Sequence, residues 1–433
     1  MTAEIAIMNK EAIALASDSA VTMSGRSTPK IFPSANKLFT LSKYHPVGTM
    51  IYGNATFMGI PWETVIKIYR NQLGNKYFNT LEDYANDFIA YLDNNNSLFH
   101  YNIQEHYSRS DMRSYLGYIK KDIISHLKRI DCEFDDNIAD EVVSQVINRH
   151  HDVWEKAEIV LSDSDLFEQE VLRDYTNIIN EEIEHSFEKY QFSEEGLNKL
   201  KLILVRVLLR FSNQISHEGI SGVVIAGFGK DDIFPSLNAY HFERVVNGKL
   251  KYRQTHGYKI NFETSAAIIP FAQSEMVSTF MEGVDPRYKT VKDSYIAKIF
   301  DDYAGIIVNH MDRYNDEEKK SLETKLKEIG KQISEDLNKK LDEYRRANHS
   351  IPVINVVSGL PKDELAAMAE SLINLTSFKR RVTPESETVG GPIDVALISK
   401  GDGFIWIKRK HYFESELNPQ FHANYYREAG MDG

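Results

Sequence analysis

Strand-forming and helix-forming segments are separated into blocks along this chain, and this separation most constrains its fold. Four apolar runs before residue 53 predict two strand pairs, and residues 61–92 then show the helical period. Residues 96–218 contain charged amphipathic patterns with few turn residues, after which strand patterns return between 223 and 253. Segregated helices and antiparallel strands are typical of an α+β architecture, not of a doubly wound parallel sheet.

The remainder of the chain continues in blocks. Residues 272–282, 293–309 and 316–347 have helical periodicity, and Pro352 is expected to end the last of these helical runs. A further helix and a final strand hairpin are predicted after residue 360.

Composition excludes several classes of protein. The 433 residues are 42% hydrophobic and 26% charged, which is ordinary for a globular protein, and the net charge of -12 disfavours a nucleic-acid partner. Cys132 is the only cysteine, so an intrachain disulfide and a cysteine-based zinc site are both excluded. The start lacks the pattern of a signal peptide, and no run reaches the ~18 apolar residues of a membrane span. We therefore expect a cytoplasmic protein without a membrane partner.

The second residue offers a nucleophile that carries its own base. A threonine hydroxyl is weak at neutral pH and needs a base within hydrogen-bond reach. Removal of Met1 would give Thr2 a free α-amine with a pKa near ~8, and that amine can serve as the base. Taken alone, a threonine at position 2 is far more often a tolerated second residue without a catalytic role.

The surrounding residues resemble a known family. The opening at 2–8 and 12–22, with Asp18 sixteen positions after Thr2, resembles proteasome β-subunits and their bacterial relatives, HslV and Anbu. The segment containing Lys37 is similar to the one that carries the family's catalytic lysine, and the segment ending at Gly53 is similar to the one that supplies its oxyanion donor. Residues 221–240 and 389–398 resemble later strands of the same family.

The resemblance implies a four-layer αββα N-terminal-nucleophile (Ntn) hydrolase sandwich with added helical insertions. Thr2 would attack an amide carbonyl, Lys37 and Asp18 would assist it, and backbone N–H groups near Gly53 would meet the oxyanion. No match is clear for the family's assisting serine and aspartate, for which Ser274 and Glu387 are weak candidates. The implied boundaries are core at 1–95, insertion at 96–218, core at 219–286, insertion at 287–350, core at 351–413 and a tail at 414–433.

The resemblance also implies partners and a reaction. It implies a peptidase acting on peptide or protein substrates, a homo-oligomer, and an ATP-dependent unfoldase as a possible partner, with no metal and no cofactor. Two other functions stay open: an acylase for small amides with the same fold, and a catalytically silent scaffold that binds a partner through its helical insertions.

Two other motifs are assigned structural roles. His150 and His151 lie in a helical stretch without a second ligand pair, which favours a surface or packing role over a zinc site. Residues 227–230 lack the full phosphate-loop spacing, and a turn at the end of a strand explains them.

Overall fold

A computed structural model describes residues 3–23, 30–95, 97–128, 136–160, 164–188, 190, 192–212, 219–383, 389–421 and 423. Helices and strands are both abundant in these ranges, in agreement with the α+β class predicted from the sequence.

The strands are numbered in chain order. They are β1 Ala3–Asn9, β2 Ala12–Ser17, β3 Val21–Met23, β4 Lys30–Phe32, β5 Leu38–Thr40, β6 Val47–Gly53, β7 Thr56–Phe57, β8 Ile60–Pro61, β9 Glu158–Ile159, β10 Arg210–Phe211, β11 Ser221–Gly227, β12 Ser236–Val246, β13 Lys249–Lys259, β14 Ala266–Ala272, β15 Asp394–Ser399 and β16 Gly403–Lys408.

The helices are numbered in the same way. They are α1 Trp62–Leu73, α2 Leu81–Asp93, α3 Tyr101–Leu127, α4 Asp136–Glu155, α5 Ser164–Asp174, α6 Thr176–Phe187, α7 Glu194–Leu209, α8 Glu275–Glu282, α9 Pro286–Asn309, α10 Asp316–Arg345, α11 Ile351–Val357 and α12 Lys362–Val382. A π-helical turn at Arg346–Ser350 and a 3-10 turn at Ser415–Leu417 complete the set.

Several helices begin where side chains satisfy their first N–H groups. At the start of α2, Thr80 accepts a hydrogen bond from the Asp83 N–H while the Asp83 side chain accepts one from the Thr80 N–H. Asn315 and Glu318 form the same reciprocal cap at the start of α10. Such caps stabilise a helix by about 1 kcal/mol, so the sequence fixes these starting points locally.

Two five-stranded antiparallel sheets form the centre of the fold. The first has the order β14-β1-β2-β15-β16 and the second has the order β13-β12-β11-β6-β5. The first sheet combines strands from both ends of the chain, and the second combines strands from residues 38–53 and 221–259. In the second sheet, Gly53 of β6 is the register partner of Ser221 of β11, although α1 to α7 separate them in sequence. The chain therefore leaves the sheet after β6 and re-enters it at the neighbouring strand β11, 168 residues later.

The sequence analysis missed the long strand β14 and six strands of two or three residues (β3, β4, β7, β8, β9 and β10). It also misplaced the starts of two helices, since α9 begins at Pro286 and not at residue 293. A helix was predicted to begin at Ala272. That residue is instead the last residue of β14, and α8 begins only at Glu275. Strand β14 contains Pro270, which cannot donate to a ladder and is tolerated because β14 lies at the edge of its sheet. It pairs with β1 along its whole length, from Ala266 opposite Asn9 to Ala272 opposite Ala3.

Alternation along β1 sends its side chains into two different hydrophobic cores. Ile5 and Ile7 join the cluster between the first sheet and helices α8, α11 and α12. Ala6 and Met8 join the cluster that fills the space between the two sheets. A third cluster packs α1 and α2 on the outer side of the second sheet. Every residue of β1 is buried because both faces of its sheet are covered.

The helical insertion has a core of its own. Side chains of α3 to α7 form a cluster that also includes Val246 at the end of β12. The insertion is therefore anchored on the second sheet. None of the helices within the described ranges has the length and apolar character needed to cross a membrane.

Pro352 does not end the helical run, contrary to the sequence prediction. Helix α10 continues through the π-helical turn into α11, where Pro352 occupies the first turn. Proline has no N–H to donate, and the π-helical turn at Arg346–Ser350 changes the hydrogen-bond pattern just before it, which lets the helical run continue through Pro352.

Candidate active site

Asp18 lies just after β2 and organises the predicted site. Its side chain is fully buried. Oxygen Oδ1 accepts hydrogen bonds from the Ala3 N–H at 3.0 Å and from Lys37 Nζ at 2.6 Å. Oxygen Oδ2 accepts from the Ala20 N–H at 3.2 Å and from the Gly390 N–H at 2.9 Å. One carboxylate thus fixes the start of β1, the end of β2 and the segment before β15.

Lys37 immediately precedes β5, and its side chain is only 6% exposed. Besides the bond to Asp18, its Nζ lies 3.6 Å from Oε1 of Glu4. The Glu4 side chain is fully buried, so the ammonium is held between two buried carboxylates. A buried cation needs such partners, since an isolated charge in the interior is very costly.

The sequence analysis did not select Glu4. The sequence nevertheless contained a sign of its role. Glu4 is the one charged residue in the apolar run of β1, and it lies on the same side of the strand as Ala6 and Met8. A charge in a strand that is buried on both faces needs a partner, and Lys37 is that partner.

Tyr52 lies beside the same group of charges. Burial raises the pKa of Tyr52 to about 12; a hydrogen bond with Thr255 opposes this rise and the Glu4 carboxylate adds to it. Its hydroxyl therefore stays protonated at neutral pH. The ring stacks on Phe271 of β14 at a centroid distance of 5.5 Å, which joins the two sheets next to the site.

His241 of β12 forms the other side of this aromatic group, with its ring 5.9 Å from that of Tyr52. Burial, together with the neighbouring charges of Arg253 and His256, lowers the pKa of His241 to about 4. His241 is therefore neutral at physiological pH.

Gly53 ends β6 and borders a cavity of about 350 Å³ that Lys37 also lines. Its φ of +79° lies in the left-handed region, and a Cβ there would lie 2.6 Å from the Ile220 carbonyl oxygen. Only glycine fits without strain. The remaining walls combine apolar and polar groups, among them Ile51, Trp62 and Glu63.

Ser274 follows the end of β14 and is the N-cap residue of α8. Because Ala272 is the register partner of Ala3, Ser274 comes two residues after the point where β14 meets the start of β1. Its side chain makes no capping hydrogen bond. Within the described part of the chain, no hydrogen bond links Ser274 to Asp18 or Lys37.

Thr2 and Glu387 lie outside the described residues. The structure therefore brings together Asp18 and Lys37, with Gly53 on the same cavity as Lys37. It fixes the next residue after Thr2, since Ala3 both donates to the Asp18 carboxylate and accepts from the Asp18 N–H at 3.1 Å.

The histidine pair of α4 has hydrogen-bond partners within the insertion. His150 is buried, 2.8 Å from the Tyr115 hydroxyl and 3.0 Å from Asp122, and burial lowers its pKa while Asp122 opposes that effect. His151 has ligand atoms of Asp152 and Glu155 nearby, all within 4.8 Å of one another. Arg206 lies 3.2 Å from His151 Nε2, and its positive charge disfavours a metal cation there.

The glycines at 227 and 229 serve packing. Gly227 ends β11 with a φ of +144°, and a Cβ there would lie 2.0 Å from the Pro46 carbonyl oxygen. A Cβ on Gly229 would lie 2.3 Å from Thr80 Cα. Close backbone approach accounts for both residues.

Comparisons with known proteins give a weak likeness to solved structures. No family model and no curated protein matches the chain. Among solved structures, Anbu from Hyphomicrobium sp. strain MC1 aligns at 9% identity and a TM-score of 0.26, over 99% of this chain and 98% of that one. Its Gly-1 mutant aligns at 10% identity and a TM-score of 0.28, over 99% and 97%.

Proposed function

We propose that this protein is an Ntn hydrolase that cleaves amide bonds through Thr2. The observation that supports this most directly is the buried Lys37–Asp18 pair at 2.6 Å, bonded to the backbone of Ala3, next to Thr2. We propose that the four layers of the αββα Ntn sandwich are α1 with α2, the second sheet, the first sheet, and α8 with α11 and α12. The three hydrophobic clusters lie between successive layers.

In the proposed reaction, Met1 is removed and the Thr2 hydroxyl oxygen attacks the substrate carbonyl carbon. The hydroxyl proton passes to the free α-amine, and the carbonyl oxygen becomes an oxyanion that accepts hydrogen bonds from backbone N–H groups near Gly53. The carbon–nitrogen bond then breaks, and the leaving amine takes the proton from the α-ammonium. Water, deprotonated by the same amine, hydrolyses the resulting ester and restores Thr2.

The cavity next to Lys37 and Gly53 is the proposed site for the substrate side chain beside the cleaved bond. A volume of about 350 Å³ accommodates an amino-acid side chain with part of its backbone. This favours a peptide over a bulky substrate, and we propose a peptidase. Since the cavity would also accept a small amide, an acylase is the second candidate.

The test uses an epoxyketone, which needs both a hydroxyl and a free α-amine for adduct formation. Intact-mass measurement first establishes whether Met1 is removed. We expect one adduct on the wild type and on Thr324→Ala, an exposed threonine in α10, and no adduct on Thr2→Ala. Equal labelling of wild type and Thr2→Ala would remove Thr2 from the mechanism, and a retained Met1 would exclude the free amine.

Substrate assays then separate the remaining functions. A peptidase cleaves casein or fluorogenic peptides faster than small acyl amides, and an acylase shows the reverse preference. A silent scaffold shows neither activity and no adduct, although Met1 has been removed.

A further inference from the structure

Helix α9 exposes a long apolar stripe. It spans Pro286–Asn309, about 36 Å at 1.5 Å per residue. Six large side chains recur along it at intervals of three or four residues, which is the spacing of one helical face. Each is more than half exposed: Tyr288, Val291, Tyr295, Ile299, Tyr303 and Ile306.

The stripe lies apart from the residues by which α9 packs on its neighbours. Ala304 and Val308 are the buried positions of α9, and Phe300 packs on Gly330 of α10, where a Cβ would lie 2.8 Å from Phe300 Cβ. The intramolecular packing of α9 is thus satisfied without the stripe. Helix α10 carries its own exposed apolar series, including Ile329 and Ile333.

The exposed area of the stripe lies at the upper end of the range found on monomeric proteins. An aromatic side chain offers about 150–250 Å², so six large, half-exposed side chains present on the order of 600 Å². The largest apolar patch of a typical monomer is about 300–600 Å², and a stable interface buries about 800 Å² on each partner. The stripe by itself supplies most of the area of such an interface.

The order of residues in the stripe is symmetric about Ile299. Tyr295 and Tyr303 lie four positions on either side of it, and Val291 and Ile306 lie eight before and seven after. Two antiparallel copies of α9 would therefore place Ile299 against Ile299, tyrosine against tyrosine and aliphatic against aliphatic. A two-fold interface needs this kind of self-complementarity.

Charges at the edge of the stripe fit the same arrangement. Lys298 and Asp302 are exposed, and neither forms an ion pair with any other residue that the structure describes. Antiparallel packing about Ile299 places Lys298 of one copy near Asp302 of the other, and the symmetry creates this pair twice. A parallel arrangement would not bring these opposite charges together in the same way.

We propose that a second copy of this chain binds this face, with the two α9 helices antiparallel about a two-fold axis near Ile299. This inference is independent of the proposed hydrolase activity, because it rests on a helix remote in sequence from Asp18 and Lys37. An inactive protein would still be expected to dimerise.

Sedimentation equilibrium of the full chain tests the interface. We expect the wild type to dimerise and Ile299→Asp to raise the dimer dissociation constant by at least about 100-fold, since each buried carboxylate would face its copy across the axis. Ile233→Asp makes the same change at a residue 75% exposed elsewhere and should leave the dissociation constant unchanged. A monomeric wild type, or an Ile299→Asp protein that dimerises equally well, would overturn the proposal.

Charge reversal and cross-linking test the orientation of the helices. Lys298→Asp should weaken the dimer by about tenfold, and adding Asp302→Lys should restore it, since the pairs are then exchanged. In a Cys132→Ser background, Ile299→Cys should form a disulfide-linked dimer under mild oxidation, whereas Ile233→Cys should not. No rescue and no cross-link would exclude the antiparallel arrangement.

Discussion

Removal of the Lys37 ammonium should lower the free energy of unfolding, because two buried carboxylates lose the positive charge that they contact. The substitution Lys37→Met keeps a long side chain of similar volume but leaves the carboxylates of Glu4 and Asp18 without their cation. Both carboxylates are fully buried. Loss of one partner of a buried ion pair costs about 3–5 kcal/mol, and we expect a destabilisation in that range.

A double-mutant cycle isolates the contribution of Glu4. At an effective dielectric constant of about 20, unit charges separated by the 3.6 Å between Lys37 and Glu4 attract each other by about 4–5 kcal/mol. Desolvation and rearrangement reduce what is measured, so the expected coupling energy is about 2–3 kcal/mol. Glu4→Gln should therefore destabilise the wild type but partly restore the stability of Lys37→Met, because it removes a carboxylate that has lost its cation.

Urea unfolding followed by circular dichroism measures the free energy of unfolding of the wild type, of Lys37→Met, of Glu4→Gln and of the double mutant. Glu63→Gln is the matched control, because it makes the same chemical change at a more exposed position on the same cavity. Its coupling to Lys37→Met should be within about 0.5 kcal/mol of zero. If the coupling of Glu4 is equally small, the ammonium is not held by two carboxylates and the description of the site is wrong.

Three further outcomes test other parts of the structure. Gly53→Ala should lower stability by about 2–3 kcal/mol in the same unfolding assay and abolish any hydrolysis, since its Cβ would lie 2.6 Å from a carbonyl oxygen. The pKa of His241 is about 4 in the folded protein and ~6.5 when unfolded, so the unfolded state binds more protons as pH falls through this window. The free energy of unfolding of the wild type should accordingly fall by up to about 2 kcal/mol between about pH 7 and about pH 5 because of this residue. If the His241→Phe variant loses the same amount over this range, the low pKa of His241 is contradicted. Glu182→Gln removes a buried carboxylate bound by two arginines of α3 and should destabilise the insertion by about 1–3 kcal/mol, measured by amide hydrogen exchange in α3 and α6.

Local sequence patterns were sufficient to locate most helices and strands. The β1–β2 hairpin followed from two apolar runs separated by a turn, and both strands pair as predicted. The start of α2 follows from its capping box. Strand β14 was missed because Pro270 contradicts strand formation locally, and only its position at the sheet edge makes the residue acceptable.

The candidate site was only partly accessible to sequence reasoning. Resemblance selected Asp18, Lys37 and Gly53, and the structure places the first two in direct contact. Glu4 was overlooked, since its role depends on a lysine 33 positions further along the chain. The neutral state of His241 likewise depends on burial and on charges brought in by β13, which no local pattern encodes.

The sequence by itself determined the order of helices and strands, the turn chemistry and the absence of a disulfide, because these depend on neighbouring residues and on composition. Only the tertiary structure decided which strands pair across the long insertion and which charges meet in the interior. Those outcomes depend on burying apolar surface between segments far apart in the chain, and on the need of each buried charge for a partner. A single strand pattern is compatible with many such pairings.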